Sequence, residues 1–136
     1  MIDPKTPSTL YVVAHGGVFK TTNGGANWSA VNTGLPVSTG APGPFVNALA
    51  IDPNTPATVY AGLDSNGVFR STDGGAHWSV FNNGMSSPIS IEVLAVAPTH
   101  PTNAVYAGSN GEGVFVLQPG HKHHAKHDGD DEDDNE

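Results

Sequence analysis

The chain has 136 residues, 37% hydrophobic and 13% charged, with 17 glycines and 11 prolines making up about a fifth of it. This length suits one domain, and low charge with abundant Gly and Pro excludes a helical bundle in favour of short strands joined by turns. There are no cysteines, which excludes disulfides and thiolate chemistry. The formal charge of −8 is unevenly placed. Seven of the 13 carboxylates fall in residues 121–136, whereas residues 1–120 hold Asp3, Asp52, Asp64, Asp73, Glu92 and Glu112 against Lys5, Lys20 and Arg70. With no basic stripe, nucleic-acid binding is not expected. No apolar run reaches the ~18–20 residues of a membrane-spanning helix, and no secretory leader is visible at the N-terminus.

In chain order, the segment from Ile2 to Leu35 (IDPKTPSTLYVVAHGGVFKTTNGGANWSAVNTGL) recurs from Ile51 to Met85 (IDPNTPATVYAGLDSNGVFRSTDGGAHWSVFNNGM). An incomplete third copy runs from Val96 to Gly120 (VAPTHPTNAVYAGSNGEGVFVLQPG). Such repetition is read before anything else. The first copy has an inner strand reduced to Met1–Asp3. The second has an inner strand over Val46–Ile51, closed by a proline turn. Two further strands follow at Thr58–Ala61 and Gly67–Ser71, separated by the turn formers Asp64, Ser65 and Asn66. A reversal at Asp73-Gly74-Gly75 leads into an outer strand over Trp78–Phe81. The third copy opens with Ile91–Val96. The inner strands alternate weakly, as strands covered on both faces should. Four antiparallel strands per ~45–50 residues is the period of a propeller blade. The fold class is therefore all-β: a partial β-propeller of about two and a half to three four-stranded antiparallel blades. The repeats run over about 2–50, 51–95 and 96–118, within a body of residues 1–120.

The segments TTNGGANW (Thr21 to Trp28) and STDGGAHW (Ser71 to Trp78) fit the pattern S/T-x-D/N-x-G-x-x-W. On these two motifs and their flanking GVF strands the chain resembles the Asp-box, or BNR-repeat, propeller superfamily over residues 2–118. That superfamily includes sialidases, xyloglucanases, sortilin-type receptors and photosystem II assembly factors. The resemblance implies architecture more than activity. Thr21, Asn23, Gly25 and Trp28, with Ser71, Asp73, Gly75 and Trp78, are read as structural. The Asx side chain closes the turn on backbone amides, the glycines take positive φ, and each tryptophan is buried between blades. The third copy reads Leu117-Gln-Pro-Gly-His121 where its box would fall. The resemblance is also compatible with an extracytoplasmic location.

Little here points to catalysis. Arg70 is the only arginine and matches Lys20 of the first copy, so a sialidase arginine triad is excluded. A xyloglucanase-type hydrolase needs two carboxylates flanking a cleft. Asp3 and Asp52 sit in the IDP turns and are read as capping them, Asp64 lies in a loop, Asp73 in a box, Glu92 on an inner strand and Glu112 in a turn. His15, His77 and His100 replace ordinary loop residues and are read as surface polar. Every Gly pair precedes a strand, so no phosphate loop is present.

Residues 121–136 (HKHHAKHDGDDEDDNE) combine four histidines with seven carboxylates and are expected to be disordered. His121, His123, His124 and His127 suit Zn²⁺, Ni²⁺ or Cu²⁺, and the acidic run suits Ca²⁺; a solubilising tail is the plainer reading, and no cofactor is required. The expectation is a non-catalytic propeller-type scaffold or binding module with a protein or glycan partner. Open blade flanks call for a homo-oligomer or further blades. The alternatives are a piece of a glycoside hydrolase lacking its catalytic residues, and a metal-binding protein acting through the tail.

Overall fold

A computed structural model of the chain describes residues 1–82, 85, 89–98 and 104–118. Among these residues ten strands form three antiparallel sheets. The first sheet holds β1 (Leu10–Ala14), β2 (Gly17–Thr21) and β3 (Ser29–Ala30). The second holds β4 (Val46–Ile51), β5 (Val59–Leu63), β6 (Gly67–Ser71) and β7 (Ser79–Val80), in that order across the sheet. The third holds β8 (Ile91–Ala97), β9 (Ala104–Ser109) and β10 (Val114–Leu117). No helix forms among the described residues. The architecture is an all-β partial propeller, each sheet one blade with its strands in chain order. The inner strand of the first blade is only a bridge of Ile2 to Leu10, supported by the Tyr11 amide donating to the Met1 carbonyl at 2.8 Å.

The registers of the three blades superimpose. Tyr11 lies opposite Lys20, Tyr60 opposite Arg70 and Tyr106 opposite Val116. Because side chains alternate across a strand, each blade presents one face to the blade that follows it and the other to the blade before it. Two cores result. Tyr11, Val18 and Leu35 of the first blade pack against Val59, Ala61, Leu63, Phe69 and Trp78 of the second. Tyr60, Val68 and Phe81 of the second pack against Ile91, Val105, Ala107, Phe115 and Leu117 of the third. At ~25 cal/mol per Å² of apolar surface, these two seams are the main favourable term holding the blades together. The approach is close: a side chain at Gly62 would collide with Ile91 of the next blade, so glycine is required there.

The last inner strand departs from the sequence expectation. β8 leaves Glu92, Val93 and Ala95 exposed, because no further blade lies against that face among the described residues. Coverage on both faces holds only between neighbouring blades.

Candidate functional site

The first two blades have two ends of different character. One carries the turns from Thr21 to Trp28 and from Ser71 to Trp78, and the other carries the tighter hairpins after β1 and β5 with the segments that lead into β4 and β8.

The two turns are built alike. In the second blade the Ser71 hydroxyl accepts from the Gly75 amide at 2.8 Å and the Asp73 amide at 3.3 Å, and donates to Asp73 Oδ1 at 2.8 Å. Asp73 Oδ1 also accepts from the His77 amide at 2.9 Å. In the first blade Thr21 Oγ1 accepts from the Gly25 and Asn23 amides and donates to Asn23 Oδ1, which accepts from the Asn27 amide. Thr21 and Ser71 are buried, and Gly74 and Gly75 take φ of 70° and 90° to turn the chain. One pair differs. Asn23 Nδ2 donates to Asn27 Oδ1 at 2.9 Å, whereas Asp73 Oδ2 meets His77 Nδ1 at 2.8 Å. Hydrogen bonds from the His77 ring, the Ser71 hydroxyl and the His77 amide hold the Asp73 carboxyl well below the usual carboxylate range. His77 is at the surface, as the sequence implies, but it has a partner there, and its i, i+4 spacing to Asp73 is the signal for it.

The tryptophans part company. Trp78 is 5% exposed, and its indole Nε1 donates across the blade seam to the Val31 carbonyl at 2.8 Å. Its amide donates to the Thr33 carbonyl at 2.8 Å. Trp28 is 41% exposed, which corrects the expectation that both rings are buried between blades. The turn folds the ring to the same place, but among the described residues no blade covers it. The carbonyl of Gly74 also ties the first seam, accepting from Lys20 Nζ at 2.8 Å and the Tyr11 hydroxyl at 3.3 Å. Burial, helped by nearby Asp3, raises the pKa of Tyr11 above the ordinary phenol value. Lys20 and Arg70 share a repeat position, opposite Tyr11 and Tyr60, but lie over different rings, Lys20 over Tyr11 at 5.3 Å and Arg70 over Phe81 at 4.7 Å.

At this end Asp3 Oδ1 accepts from the Lys5 and Thr6 amides, and Asp52 Oδ1 from the Asn54 and Thr55 amides. Both carboxylates are employed in holding their proline turns.

The opposite end is assembled from the turns after β1, β5 and β9 and the segments entering β4 and β8. Asp64 Oδ1 accepts from the Ser90 hydroxyl at 2.6 Å, Ser90 Oγ accepts from the Ser65 amide, and the Ser90 carbonyl accepts from the Asn110 amide. Asn47 Nδ2 donates to the Ile91 carbonyl at 3.1 Å, joining the inner strands of two blades. Exposed Phe45, His15, Asn66, Glu92 and Glu112 share this end. This constellation, one aromatic ring among amides, hydroxyls and carboxylates, can accept hydrogen bonds from a polar ligand and stack on an apolar face. In the sequence Asp64 is a plain loop residue, because its Ser90 partner is 26 residues away and on another blade.

Among the described residues no group of three or more His, Cys, Asp or Glu side chains could hold a metal ion. The metal reading of His121, His123, His124 and His127 falls outside the described residues, as does His100.

No family model matches the chain, and no curated protein sequence does. Solved structures do. An ancestral GH74 enzyme aligns with TM-score 0.68 and 22% identity, covering 85% of this chain and 16% of that one. The GH74 enzyme of Niastella koreensis aligns with TM-score 0.66 and 21% identity, covering 87% of this chain and 19% of its own. The GH74 xyloglucanase of Xanthomonas campestris aligns with TM-score 0.57 and 15% identity, covering 86% and 20%. The chain thus spans a fifth or less of the length of these enzymes, and at such identity the likeness establishes the fold: this is a β-propeller-type chain.

Proposed function

We propose that the chain is a non-catalytic β-propeller-type binding module that presents the loop end of its blades to a glycan or protein partner. The observation that carries this reading is the use made of the aspartates. Asp3, Asp52 and Asp73 each accept backbone amides in turns at one end, and Asp64 is engaged by Ser90 at the other. A glycosidase needs a pair of carboxylates free to act as acid and as base or nucleophile; none of these four aspartates is free, which leaves exposed Glu92 and Glu112 as the carboxylates that the assay below addresses. We read the two S/T-x-D/N-x-G-x-x-W turns as Asp boxes on the strength of their matched hydrogen bonds, and as architecture.

A second reading, a piece of a glycoside hydrolase whose catalytic residues lie elsewhere, is favoured by the GH74 neighbours and the small share of them that the chain spans. The two readings part on one experiment. Xyloglucan oligosaccharides are titrated onto the chain and followed by NMR, and release of reducing ends is assayed in parallel. The module reading expects shifts at Phe45, Asn47 and Asp64 without any release. Release that Glu92→Gln abolishes would overturn it. Absence of both shifts and release excludes this glycan as the ligand and leaves the protein arm of the proposal, tested by cross-linking at Phe45.

A further inference from the structure

The internal seams show what belongs against each blade face, and the two outermost faces of the chain are a matched pair. Tyr60 and Val68, on the face the second blade turns to the third, are almost wholly buried, with Tyr60 at 2% exposure. Tyr11 and Val18 hold the same register positions on the first blade and are buried to the same degree. The third blade presents Tyr106 and Val114 at these positions, 43% and 54% exposed, with Val93 exposed beside them. At the other extreme lies the face that the first blade turns away from the second. Val12, Phe19 and Trp28 hold the positions of Ala61, Phe69 and Trp78, the residues that cover Tyr11 and Val18. Val12 and Trp28 are exposed, whereas Ala61, Phe69 and Trp78 are buried.

From this we infer that two copies of the chain associate head to tail, the Tyr106–Val114 face of each packing on the Val12–Phe19–Trp28 face of the other, to close a ring of six blades. The occupant is a second copy because the surface seen to cover a Tyr–Val face, twice in this molecule, is the rear of a repeat-related blade. The first blade carries that surface uncovered. Closure sets the number of copies. Propellers close with about four to eight blades, so three-bladed chains satisfy this as a pair, and three copies would overshoot. In such a ring both junctions are heterologous contacts made equivalent by a two-fold axis, and neither apolar flank is left in water. Val116 stands where Lys20 and Arg70 stand in the earlier blades, so the new seam is more apolar than the first internal one.

The test is size-exclusion chromatography with light scattering on the purified chain and on one variant per flank. The unsubstituted chain should run at twice its 14.0 kDa. Val12→Glu and Tyr106→Glu should each run as a folded monomer, since every junction uses one face of each kind. Mixing the two variants should restore the doubled mass, because one junction of the mixed pair carries neither lesion. Val114→Glu replaces Tyr106→Glu if the latter melts early. A monomeric unsubstituted chain would overturn the inference. So would open-ended polymers, a variant on either flank that leaves the dimer intact, or a mixture that stays monomeric.

Discussion

The turns of the first and second blades are the same local structure set in different company. Thr21 and Ser71 accept the same amides, and Asn23 and Asp73 close the same loop, yet Trp28 lies open where Trp78 is buried. The difference teaches that an eight-residue turn places its ring by short-range hydrogen bonding, while burial of that ring depends on the neighbouring blade. Local form and its energetic yield are separable here.

The sharpest way to break this comparison is to remove the rings. Trp78→Ala should cost about 3–5 kcal/mol through lost burial and a cavity at the first seam. Trp28→Ala, placed on a Tyr106→Glu background so that the head-to-tail pairing inferred above does not cover the ring, should cost about 1 kcal/mol or less, near the scatter of surface substitutions. Urea unfolding of the two variants against their parents reads the difference directly, and equal losses would show that the neighbouring blade is not what separates them.

The hydroxyls sharpen the other half of the comparison. Ser71→Ala leaves the Gly75 and Asp73 amides without their acceptor in a buried turn and should cost about 1–3 kcal/mol. Thr21→Val should cost a similar amount, since the bonds lost are the same. Were Thr21→Val to prove as harmless as Trp28→Ala, the turn of the first blade would not be holding itself together.

The smallest effect separates Asp73 from Asn23. The folded pKa of Asp73 lies below its ordinary value of 3.8, so the stabilisation is present above that value and lost as pH falls through the folded one. Asp73→Asn, which copies the first blade, removes this titration. The gap in melting temperature between parent and variant should therefore be widest above pH 4–5 and shrink on acidification. A gap that does not change with pH would mean that the His77 pairing contributes nothing specific to the carboxylate.

Much of the fold was legible because it is written in short range. The repeat spacing, the GVF strands and the proline turns led to a partial propeller of up to three blades with a vestigial inner strand at Met1–Asp3, and the structure has three sheets with that strand reduced to a bridge. Other features escaped for a physical reason: they join residues far apart in sequence. Asn32 Oδ1 accepts the Val18 amide and Asn82 Oδ1 the Val68 amide, latching each outer segment onto the strand beneath it. A side chain at Gly17 or Gly67 would strike those asparagines, which accounts for the glycine of GVF. The latch is visible in the sequence only once strand pairing is known. The same is true of Asp64 with Ser90 and of Lys20 with Gly74.

The sequence by itself determined the strand order, the turn chemistry and the repeat, since each depends on residues within hydrogen-bonding reach along the chain. Only the tertiary structure decided which faces are covered. Tyr11, Tyr60 and Tyr106 occupy one repeat position, and nothing local distinguishes them. Burial depends on whether another sheet lies within van der Waals distance, and for Tyr106, as for Trp28, none does among the described residues.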